Sequence, residues 1–409
     1  MSNFSLPACP ADPLLSLIGA FREDARPGKI DLSVGVFRDE NGQTPVMHAV
    51  KQAEARLVAQ QPTKTYLGPL GNVEFTQGVA GMAFGSARAR RLAALQTPGG
   101  TGALRVAADL LVRNAASRAR TGSERHGRIW VGLPTWSNHV PVFAAAGLEI
   151  RSYRAIDTET QRFDLDAFGA AMEQADPGDA VLLQGCCHNP TGIDPDDGQW
   201  ARIAELLRDK DLVPLIDLAY QGLGRGIEED ALAACLLLDT VPDALIAYSC
   251  NKNFGLYRER VGALFIQAGD EAARVAASSN AADLVRANYS MPPDHGAAVV
   301  ATILGDAALA SAWYDELEAM RTRLVATRRA LADAACAQGL ALDSIAHQQG
   351  MFAQLALPPE AIADLRENHA IYMAPDGRIN LAGLAMSDVE RFASALARSF
   401  ARTAHAPAP

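Results

Sequence analysis

In the segment YSCNKNFGLYRERVG, residues 248–262, the cations Lys252 and Arg260 lie between two apolar runs. The runs ALIAYS and VGALFI have the composition of buried strands, so each cation lies close to a strand end. An isolated lysine in a loop is normally a solvated surface residue. A lysine that attacks a carbonyl carbon must instead be neutral part of the time, and burial or a neighbouring cation lowers its pKa. The rest of the sequence decides between these interpretations.

Other side chains capable of chemistry follow the remaining apolar runs. The residues at the ends of IWVGLP, AVLLQ, LVPLID and ALIAYS are Trp136, His139, Asn189, Asp217, Tyr220 and Ser249. Ligands of open α/β sheets bind outside the carboxyl ends of the strands, so these residues are expected to share one site. Each also has an ordinary structural role open to it. Asp217 could cap a helix, Trp136 could fill the core, and His139 could be a satisfied polar residue or could brace Asp217.

A glycine-rich segment, TPGGTG at residues 97–102, precedes the helical segment ALRVAADLLVRNA. Backbone N–H groups at such a helix start, together with the helix dipole, can hold a phosphate. The segment lacks the GK[ST] ending of a P-loop and the spacing of GxGxxG, and a plain glycine-rich loop is the alternative. A phosphate here would need a cation, for which Arg260 is the candidate.

These side chains together suit pyridoxal 5′-phosphate. Lys252 could form a Schiff base with it, and Asp217 could lie opposite its ring nitrogen and keep that nitrogen protonated. Tyr220 and Asn189 could form hydrogen bonds with its phenolic oxygen. Trp136 could stack on the face of its ring.

The apolar runs alternate with amphipathic segments such as DPDDGQWARIAELLRDKD, which predicts an α/β protein with a mostly parallel sheet covered on both faces. From about Leu309 the pattern changes to one long helix followed by short strands around GMFAQLAL and GRINLAGL. We therefore predict a large cofactor-binding domain over residues 40–308. Residues 1–39 and 309–409 are predicted to form a smaller α+β domain.

Composition limits the classes of function. The 409 residues are 49% hydrophobic and 21% charged, and 37 basic against 47 acidic residues give a net charge of −10. This balance argues against a general nucleic-acid or anionic-membrane surface, although not against a local cationic pocket. The six cysteines lack metal-site spacing, and the start of the chain lacks a signal-peptide pattern. We expect a cytoplasmic protein with reduced cysteines, no metal, and no nucleic-acid or membrane partner.

The residues above lie in segments that resemble the aspartate and aromatic amino-acid aminotransferases, the class I, fold-type I pyridoxal-phosphate enzymes. The segments that carry the resemblance, in chain order, are ADPLLSL, RPGKIDLSVGVFRDENGQTPV, TYLGP, QTPGGTGALRVAADLL, CCHNPTGID, DLAYQGLGRGIEEDA, KNFGLYRERVG, RANYSMPPDHGA and DGRINLAGL. The resemblance implies a large domain with a mostly parallel seven-stranded sheet between helices, plus a smaller α+β domain. It also implies a homodimer with two shared active sites.

The resemblance assigns roles by motif. Lys252 matches the lysine that bonds to the cofactor and moves the proton, Asp217 matches the partner of the ring nitrogen, and Tyr220 completes the catalytic set. The residues that match further cofactor contacts are Gly100, Thr101, Trp136, Asn189, Ser249, Arg260 and, reaching in from the partner subunit, Tyr66. Those that match substrate contacts are Gly35, Trp136, Asn189, Arg378 and, from the partner subunit, Arg286. In the family, the residue matched by Arg378 grips the α-carboxylate, the one matched by Arg286 reads a distal carboxylate, and the one matched by Gly35 lies on a mobile segment.

Four positions depart from the pattern of the family. Asn251 stands where serine is usual, Cys250 where an aromatic residue is common, and Gln184 where histidine is usual. Met291 replaces the asparagine of aspartate enzymes and the serine of some aromatic ones. None of these changes removes a catalytic function. Gln184 and Asn251 bear on the tuning of the site, and Met291 bears on specificity.

The expected activity is therefore transfer of an amino group between an L-amino acid and 2-oxoglutarate by a ping-pong mechanism. Retention of Arg286 favours an acidic partner substrate. Aspartate and the aromatic amino acids both stay open as donors, with the apolar Met291 favouring aromatic acceptance. A specialised biosynthetic enzyme acting on a modified amino acid is an alternative, as is a non-catalytic cofactor-binding relative, against which the intact Lys252 and Asp217 argue.

Overall fold

The computed structural model describes residues 6–7, 9, 13–120, 127–157 and 159–404. The chain forms two compact units. One consists of Met1–Thr44, Ala326–His347 and Met351–Pro409, and the other of Pro45–Val325 and Gln348–Gly350. These units divide at 44/45 and 325/326, whereas the domains predicted from the sequence divide at 39/40 and 308/309. The domain assignment stays a prediction, and its residues 1–5, 8, 10–12, 121–126, 158 and 405–409 lie outside the described part.

The α-helices within the described residues are, in chain order, α1 (Pro13–Glu23), α2 (His48–Gln60), α3 (Val73–Ala89), α4 (Gly99–Arg120), α5 (His139–Ala146), α6 (Leu165–Met172), α7 (Asp197–Asp209), α8 (Leu232–Thr240), α9 (Glu271–Asn288), α10 (His295–Leu304), α11 (Ala307–Ala337), α12 (Pro359–His369) and α13 (Val389–Ala404). Short 3₁₀ turns cover Glu229–Ala231, Asp343–His347, Leu381–Gly383 and Met386–Asp388.

The β-strands are β1 (Ile30–Asp31), β2 (Ala93–Pro98), β3 (Arg128–Leu133), β4 (Glu149–Arg154), β5 (Ile156–Asp157), β6 (Arg162–Phe163), β7 (Ala180–Gln184), β8 (Val213–Leu218), β9 (Ala244–Ser249), β10 (Val261–Gln267), β11 (Phe352–Gln354), β12 (Ile371–Tyr372) and β13 (Arg378–Asn380). The five strands predicted from the apolar runs between 129 and 266 are all present, each within a residue or two of its predicted ends.

The larger unit contains a seven-stranded sheet in the order β2-β10-β9-β8-β7-β3-β4. Strands β4, β3, β7, β8 and β9 pair in parallel, and β10 runs antiparallel to both β9 and β2. The predicted α/β class with a mostly parallel seven-stranded sheet is confirmed. The carboxyl ends of the parallel strands lie at one edge of the sheet, and Gln184 is in register with Asp217 across β7 and β8.

The central strands consist mostly of apolar residues because the sheet is covered on both faces, and the polar Asp217 and Ser249 lie near their carboxyl ends. Strands β9 and β10 are buried at every position, and α4 packs on both of them. Helix α7 shows how the covering helices begin: Asp196 and Gln199 form a capping box, and the apolar stripe of the helix buries Trp200, Ile203 and Leu207. The sheet is thereby a rigid base for the loops at its edge.

The smaller unit has two short strand pairs, β1 with β12 in parallel and β11 with β13 antiparallel. Strands β11 and β13 lie where the motifs GMFAQLAL and GRINLAGL predicted strands. Its core residues are Ile30, Leu32, Leu331, Leu355, Leu365, Ile371, Ile379, Leu381 and Phe392, among others. Helices α12 and α13 pack against each other on this core.

No single described helix has both the length and the apolar composition needed to cross a membrane. Helices α10 and α11, which meet at an angle of 102°, satisfy the length and composition criteria only as a bent pair.

Gly262 on β10 should be essential for stability. A Cβ atom at this position would lie 2.5 Å from the carbonyl carbon of Gly99 and 2.6 Å from the carbonyl oxygen of Tyr248. Backbone atoms cannot rotate away, so Gly262→Ala should lower the free energy of unfolding by about 1–3 kcal/mol, as overpacking does. Urea denaturation followed by circular dichroism measures this effect.

The control is Gly169→Ala on α6, where an added Cβ meets nothing within 4 Å. It should leave stability unchanged or raise it by about 0.5–1 kcal/mol, because alanine favours a helix interior. Equal midpoints for the two variants would contradict the steric argument at Gly262.

Candidate active site

Nine of the sequence-predicted site residues surround one cavity of about 230 Å³ in the larger unit. The residues that line it are Gly100, Thr101, Leu104, Trp136, Gln184, Asn189, Asp217, Ala219, Tyr220, Ser249, Asn251, Lys252 and Arg260. They come from the ends of β2, β3, β7, β8 and β9 and from the first turn of α4. Parallel strands bring these residues together although they are up to 160 positions apart in the chain.

One end of the cavity has the character of an anion site. Strand β2 runs directly into α4 at Gly99, which has φ +70°. A Cβ atom at Gly99 would lie 2.7 Å from Nη2 of Arg260, so only glycine allows the guanidinium so close to the helix start. Burial lowers the pKa of Arg260 from its ordinary value, yet arginine remains charged at neutral pH. A cation beside unpaired helical N–H groups can bind a phosphate.

Another part of the cavity wall carries the buried carboxylate of Asp217. Its Oδ2 lies 3.0 Å from Nε2 of His139, and the ring of His139 stacks on Phe143 and meets Trp136 edge to face. Asp217 lies inside β8, and the next described helical turn begins at Glu229. The alternative that Asp217 caps a helix is therefore wrong, and the idea that His139 braces Asp217 agrees with the geometry.

Lys252 lies in the loop after β9, with its Nζ 5.0 Å from the centroid of the Tyr220 ring. The Tyr220 hydroxyl accepts a hydrogen bond of 3.1 Å from Nδ2 of Asn189. The loop that contains Lys252 is anchored by a hydrogen bond, because Nε1 of Trp313 donates to the backbone carbonyl of Asn253 at 2.8 Å. An amine, a phenol and an amide thus converge on the same cavity.

Gln184 and Asn251, two of the residues that depart from the family pattern, both line the cavity and both support neighbours. Gln184 Oε1 accepts from the backbone N–H of Asn189, and its Nε2 donates to the Asn189 carbonyl, each at 2.9 Å. Because Nη1 of Arg260 can only donate and the Leu256 carbonyl can only accept, we assign the Asn251 amide oxygen to the side of the arginine, where it accepts from Nη1 at 2.5 Å while the amide nitrogen donates to the Leu256 carbonyl at 3.3 Å.

Sequence analysis did not find the contact between Asn251 and Arg260, and it did not single out Thr135. The hydroxyl of Thr135 lies 2.7 Å from Nδ1 of His139. Its position in the sequence, between the end of β3 and Trp136, could have indicated that Thr135 belongs to the site.

Tyr66 and Arg286 do not line this cavity. Tyr66 is 90% exposed, and its neighbour Leu67 donates its backbone N–H to Sδ of Met291 at 3.0 Å. Arg286, near the end of α9, is exposed and donates to Ser290. Both residues were predicted to act in the site of a partner subunit, and those roles stay predictions.

Gly35 and Arg378 belong to the smaller unit. Arg378 is buried at the start of β13, where Nη2 donates to the Ser33 carbonyl at 3.0 Å and the guanidinium lies 4.8 Å from the centroid of the Phe352 ring. A Cβ atom on Gly35 would lie 2.7 Å from the same phenylalanine ring. Asn380 donates to the backbone carbonyls on both sides of Gly35 at 2.6 and 2.7 Å. Phe352 and Asn380 thus place the Gly35 segment next to Arg378 within the smaller unit.

A buried group of Cys186, Cys187 and Asp230 brings three possible metal-ligand atoms within 4.8 Å of one another. Asp230, however, accepts three backbone hydrogen bonds from the loop 222–225, and this explains its burial. No disulfide joins any of the cysteines within the described residues. We assign this group to the support of the loop.

The sequence profile of the family described as aminotransferase class I and II matches residues 27–396. A tyrosine aminotransferase from Rhizobium meliloti (strain 1021) is 49% identical over 383 residues, which is 93% of this chain and 96% of the relative. An aspartate aminotransferase from Escherichia coli (strain K12) is 44% identical over 386 residues, 93% of this chain and 95% of the relative. The chain belongs to the class I and II aminotransferase family.

A solved structure agrees with this conclusion. The crystal structure of an aromatic-amino-acid aminotransferase from Burkholderia pseudomallei, covalently bound to pyridoxal phosphate, matches with a TM-score of 0.90 and 38% identity over 98% of this chain and 100% of that one. The predicted family, fold and enzyme class are confirmed: the protein is an amino-acid aminotransferase, and its family depends on pyridoxal phosphate.

His188, beside Asn189, should make the protein sensitive to acid. Burial, with a smaller effect of His139, lowers the pKa of His188 from 6.5 to about 3. Between these values the unfolded chain binds a proton that the folded protein does not, so the free energy of unfolding falls as the pH falls. His188→Asn should flatten this dependence between pH 6 and 4.5, by at most about 1.4 kcal/mol per pH unit.

Denaturant titrations at several pH values measure the slope. The exposed His48 provides the control, and His48→Asn should keep the slope of the parent protein. If His188→Asn and the parent protein have the same slope, His188 is protonated in the folded state and the argument is wrong.

Proposed function

We propose that this aminotransferase moves the amino group of an aromatic amino acid or aspartate to 2-oxoglutarate by a ping-pong mechanism, using pyridoxal 5′-phosphate bound in the cavity of about 230 Å³. The observation that carries the proposal is the convergence of Lys252, Asp217 and Arg260 on that one cavity. We further propose a homodimer with shared active sites and a cytoplasmic location.

The cavity fits the chemistry of this cofactor. Arg260, the first turn of α4, Thr101 and Ser249 would hold the phosphate, because that end combines a cation with helical N–H groups. Elsewhere in the cavity wall, the buried carboxyl group of Asp217, 3.0 Å from Nε2 of His139, suits a protonated ring nitrogen. The hydrogen-bonded pair Asn189 and Tyr220 suits the phenolic oxygen of the ring.

When bound, pyridoxal phosphate supplies an aldehyde carbon that receives the amino group and a ring that stabilises the electrons left on the substrate Cα. Lys252 would be the group that moves the proton between the substrate Cα and the cofactor. Asp217 would keep the proton on the ring nitrogen. Trp136 would cover the ring face and exclude water.

Two arginines would divide the recognition of substrate. Arg378 binds the α-carboxylate in a bidentate fork, which every amino acid requires. Arg286 of the partner subunit binds the second carboxylate of aspartate, glutamate or 2-oxoglutarate. Tyr66 of the partner subunit adds a contact to the phosphate, and Gly35 lies on the segment that closes over the substrate.

The choice of donors rests on the relatives and on Met291. One relative acts, by its name, on tyrosine and another on aspartate, and both match nearly the full chain. Met291 is apolar where a polar residue is usual, which favours aromatic side chains. We therefore propose dual acceptance of aromatic and acidic amino acids. A panel of amino donors with 2-oxoglutarate tests this, and activity confined to a modified amino acid would contradict it.

Lys252→Ala should remove nearly all turnover while still binding the cofactor through Asp217 and the phosphate contacts. The loss should exceed the ~10²–10⁴-fold effect of general acid–base catalysis, because the covalent bond to the cofactor is lost as well. Reduction with borohydride followed by peptide mass analysis should label Lys252 in the parent protein only. Lys51→Ala, at an exposed position of α2, is the control and should match the parent. Turnover of Lys252→Ala within tenfold of the parent would exclude the assigned role.

Arg286→Leu should separate the two substrate classes. Aspartate would bind with a partly desolvated carboxylate that lacks a partner, which costs roughly 3–5 kcal/mol. Its kcat/KM in the half-reaction should fall by at least about a hundredfold, since ~1.4 kcal/mol is a factor of ten. The half-reaction of phenylalanine should stay nearly unchanged. Arg378→Lys should instead lower both, because lysine offers a point charge in place of a planar fork.

Arg274→Leu, on the same helix as Arg286, controls for loss of a surface cation. Sharing of sites between subunits is tested by mixing Arg286→Leu with Lys252→Ala under conditions that exchange subunits. A mixed dimer would contain one intact site, so aspartate activity should reappear. An equal loss for aspartate and phenylalanine in Arg286→Leu would give Arg286 a structural role, and no recovery on mixing would contradict shared sites.

A further inference from the structure

We propose that Gln184 sets the direction of a chain of hydrogen bonds that ends on Asp217, and so fixes which ring nitrogen of His139 carries the proton. Gln184 donates to the Thr135 hydroxyl, the hydroxyl donates to Nδ1 of His139, and Nε2–H of His139 donates to Asp217. Gln184 is therefore a positioning residue. The effect of Gln184 on catalysis rests on the role proposed above for Asp217. The positions of the protons on His139 do not depend on that role.

The orientation of the Gln184 amide is determined by the backbone of Asn189. The N–H group of Asn189 can only donate, and it lies 2.9 Å from Oε1 of Gln184. The carbonyl of Asn189 can only accept, and it lies 2.9 Å from Nε2. Reversing the amide would break both bonds and place like groups face to face. Nε2 is thereby the end that faces Thr135.

Thr135 transmits this direction. Its Oγ1 is 3.4 Å from Nε2 of Gln184, which can only donate, and 2.7 Å from Nδ1 of His139. A hydroxyl has one hydrogen and two lone pairs, and of its two described partners Nε2 of Gln184 cannot accept, so the hydrogen is directed to Nδ1 of His139. Nδ1 of His139 is then an acceptor without a proton of its own.

The proton of a neutral His139 must then be on Nε2, which lies 3.0 Å from Oδ2 of Asp217. The ring cannot turn to exchange its nitrogens, because it is buried between Trp136 and Phe143. Asp217 therefore receives a hydrogen bond on Oδ2. A carboxylate in this state is the form that can hold a proton on the ring nitrogen of the cofactor.

The same amide acts on the opposite side of the cavity. By fixing the backbone of Asn189, Gln184 also sets the side chain that donates to the Tyr220 hydroxyl at 3.1 Å. The histidine usual at this position in the family has ring nitrogens that serve as donor or acceptor according to tautomer. A glutamine amide has one fixed donor end and one fixed acceptor end. It therefore fixes the direction of its hydrogen bonds to Thr135 and to the backbone of Asn189.

The test is nitrogen NMR of the full-length protein with cofactor bound, labelled with ¹⁵N in its histidines. His139→Gln identifies the signals of His139. In the parent protein we expect a protonated Nε2 and an unprotonated Nδ1. In Gln184→Glu the carboxylate cannot donate, so the Thr135 hydroxyl turns toward it and Nδ1 of His139 becomes protonated. Thr135→Ser keeps a hydroxyl and should keep the parent pattern.

A double variant, Gln184→Glu with Thr135→Val, separates the hydrogen-bond chain from the added charge. With the hydroxyl removed, Nδ1 should lose the proton that it carries in Gln184→Glu alone. A proton on Nδ1 in the parent protein, or the same pattern in the parent and in Gln184→Glu, would overturn the proposal. The parent spectrum can overturn the proposal by itself, and Gln184→Glu separates the part of Gln184 from that of Asp217, which would also favour a proton on Nε2.

Kinetics then distinguish this inference from the proposed function. Gln184→Glu should slow the phenylalanine half-reaction about tenfold, the usual worth of one hydrogen bond, with the cofactor still bound. The expected NMR pattern in a protein without transamination would contradict the proposed function alone. Normal transamination with Nδ1 protonated in the parent would contradict the role of Gln184 alone.

Discussion

The buried carboxylate of Asp217 is the constraint on which the rest of the site depends. A charge within a covered sheet is costly unless hydrogen bonds and a counter-charge compensate it. His139 provides one such bond at 3.0 Å, and the neighbouring rings of Trp136 and Phe143 hold the imidazole in place. The carboxylate faces a cavity whose other end carries Arg260 beside a helix start. A ligand with a cationic ring and an anionic tail complements this polarity.

The sequence predicted the central sheet well because its strands are covered on both faces. Such strands are continuous apolar runs, and their ends are marked where the first polar residues appear, as at Asp217 and at Ser249. The gathering of Asn189, Asp217 and Lys252 was predictable for the same reason, because the carboxyl ends of parallel strands share an edge. The boundary between the compact units was harder to place. Helix α11 continues across it from Ala307 to Ala337 without a change in its apolar pattern.

What the sequence could not provide is the set of contacts between side chains that are remote in the chain. Thr135 carries no motif, and its importance comes from lying 2.7 Å from Nδ1 of His139 and 3.4 Å from Gln184. The two positions of Asp217, in a strand or at a helix start, were equally compatible with the residues that follow it. The direction of an amide is likewise a property of its surroundings, because it depends on which neighbouring groups can donate.

Gln184 and Asn251, the two amides that depart from the family pattern, act in the same way. Each forms hydrogen bonds that orient a neighbouring residue of the site. Both hydrogens of Nη1 of Arg260 have acceptors, one in the Tyr257 carbonyl at 3.0 Å and one in Asn251 at 2.5 Å. This fixes the plane of the guanidinium and turns Nη2 toward Gly99 and the start of α4. A planar donor fixed in this way loses less rotational freedom when it binds an anion. Asn251 at the phosphate end and Gln184 near Asp217 therefore pre-orient opposite ends of one cavity.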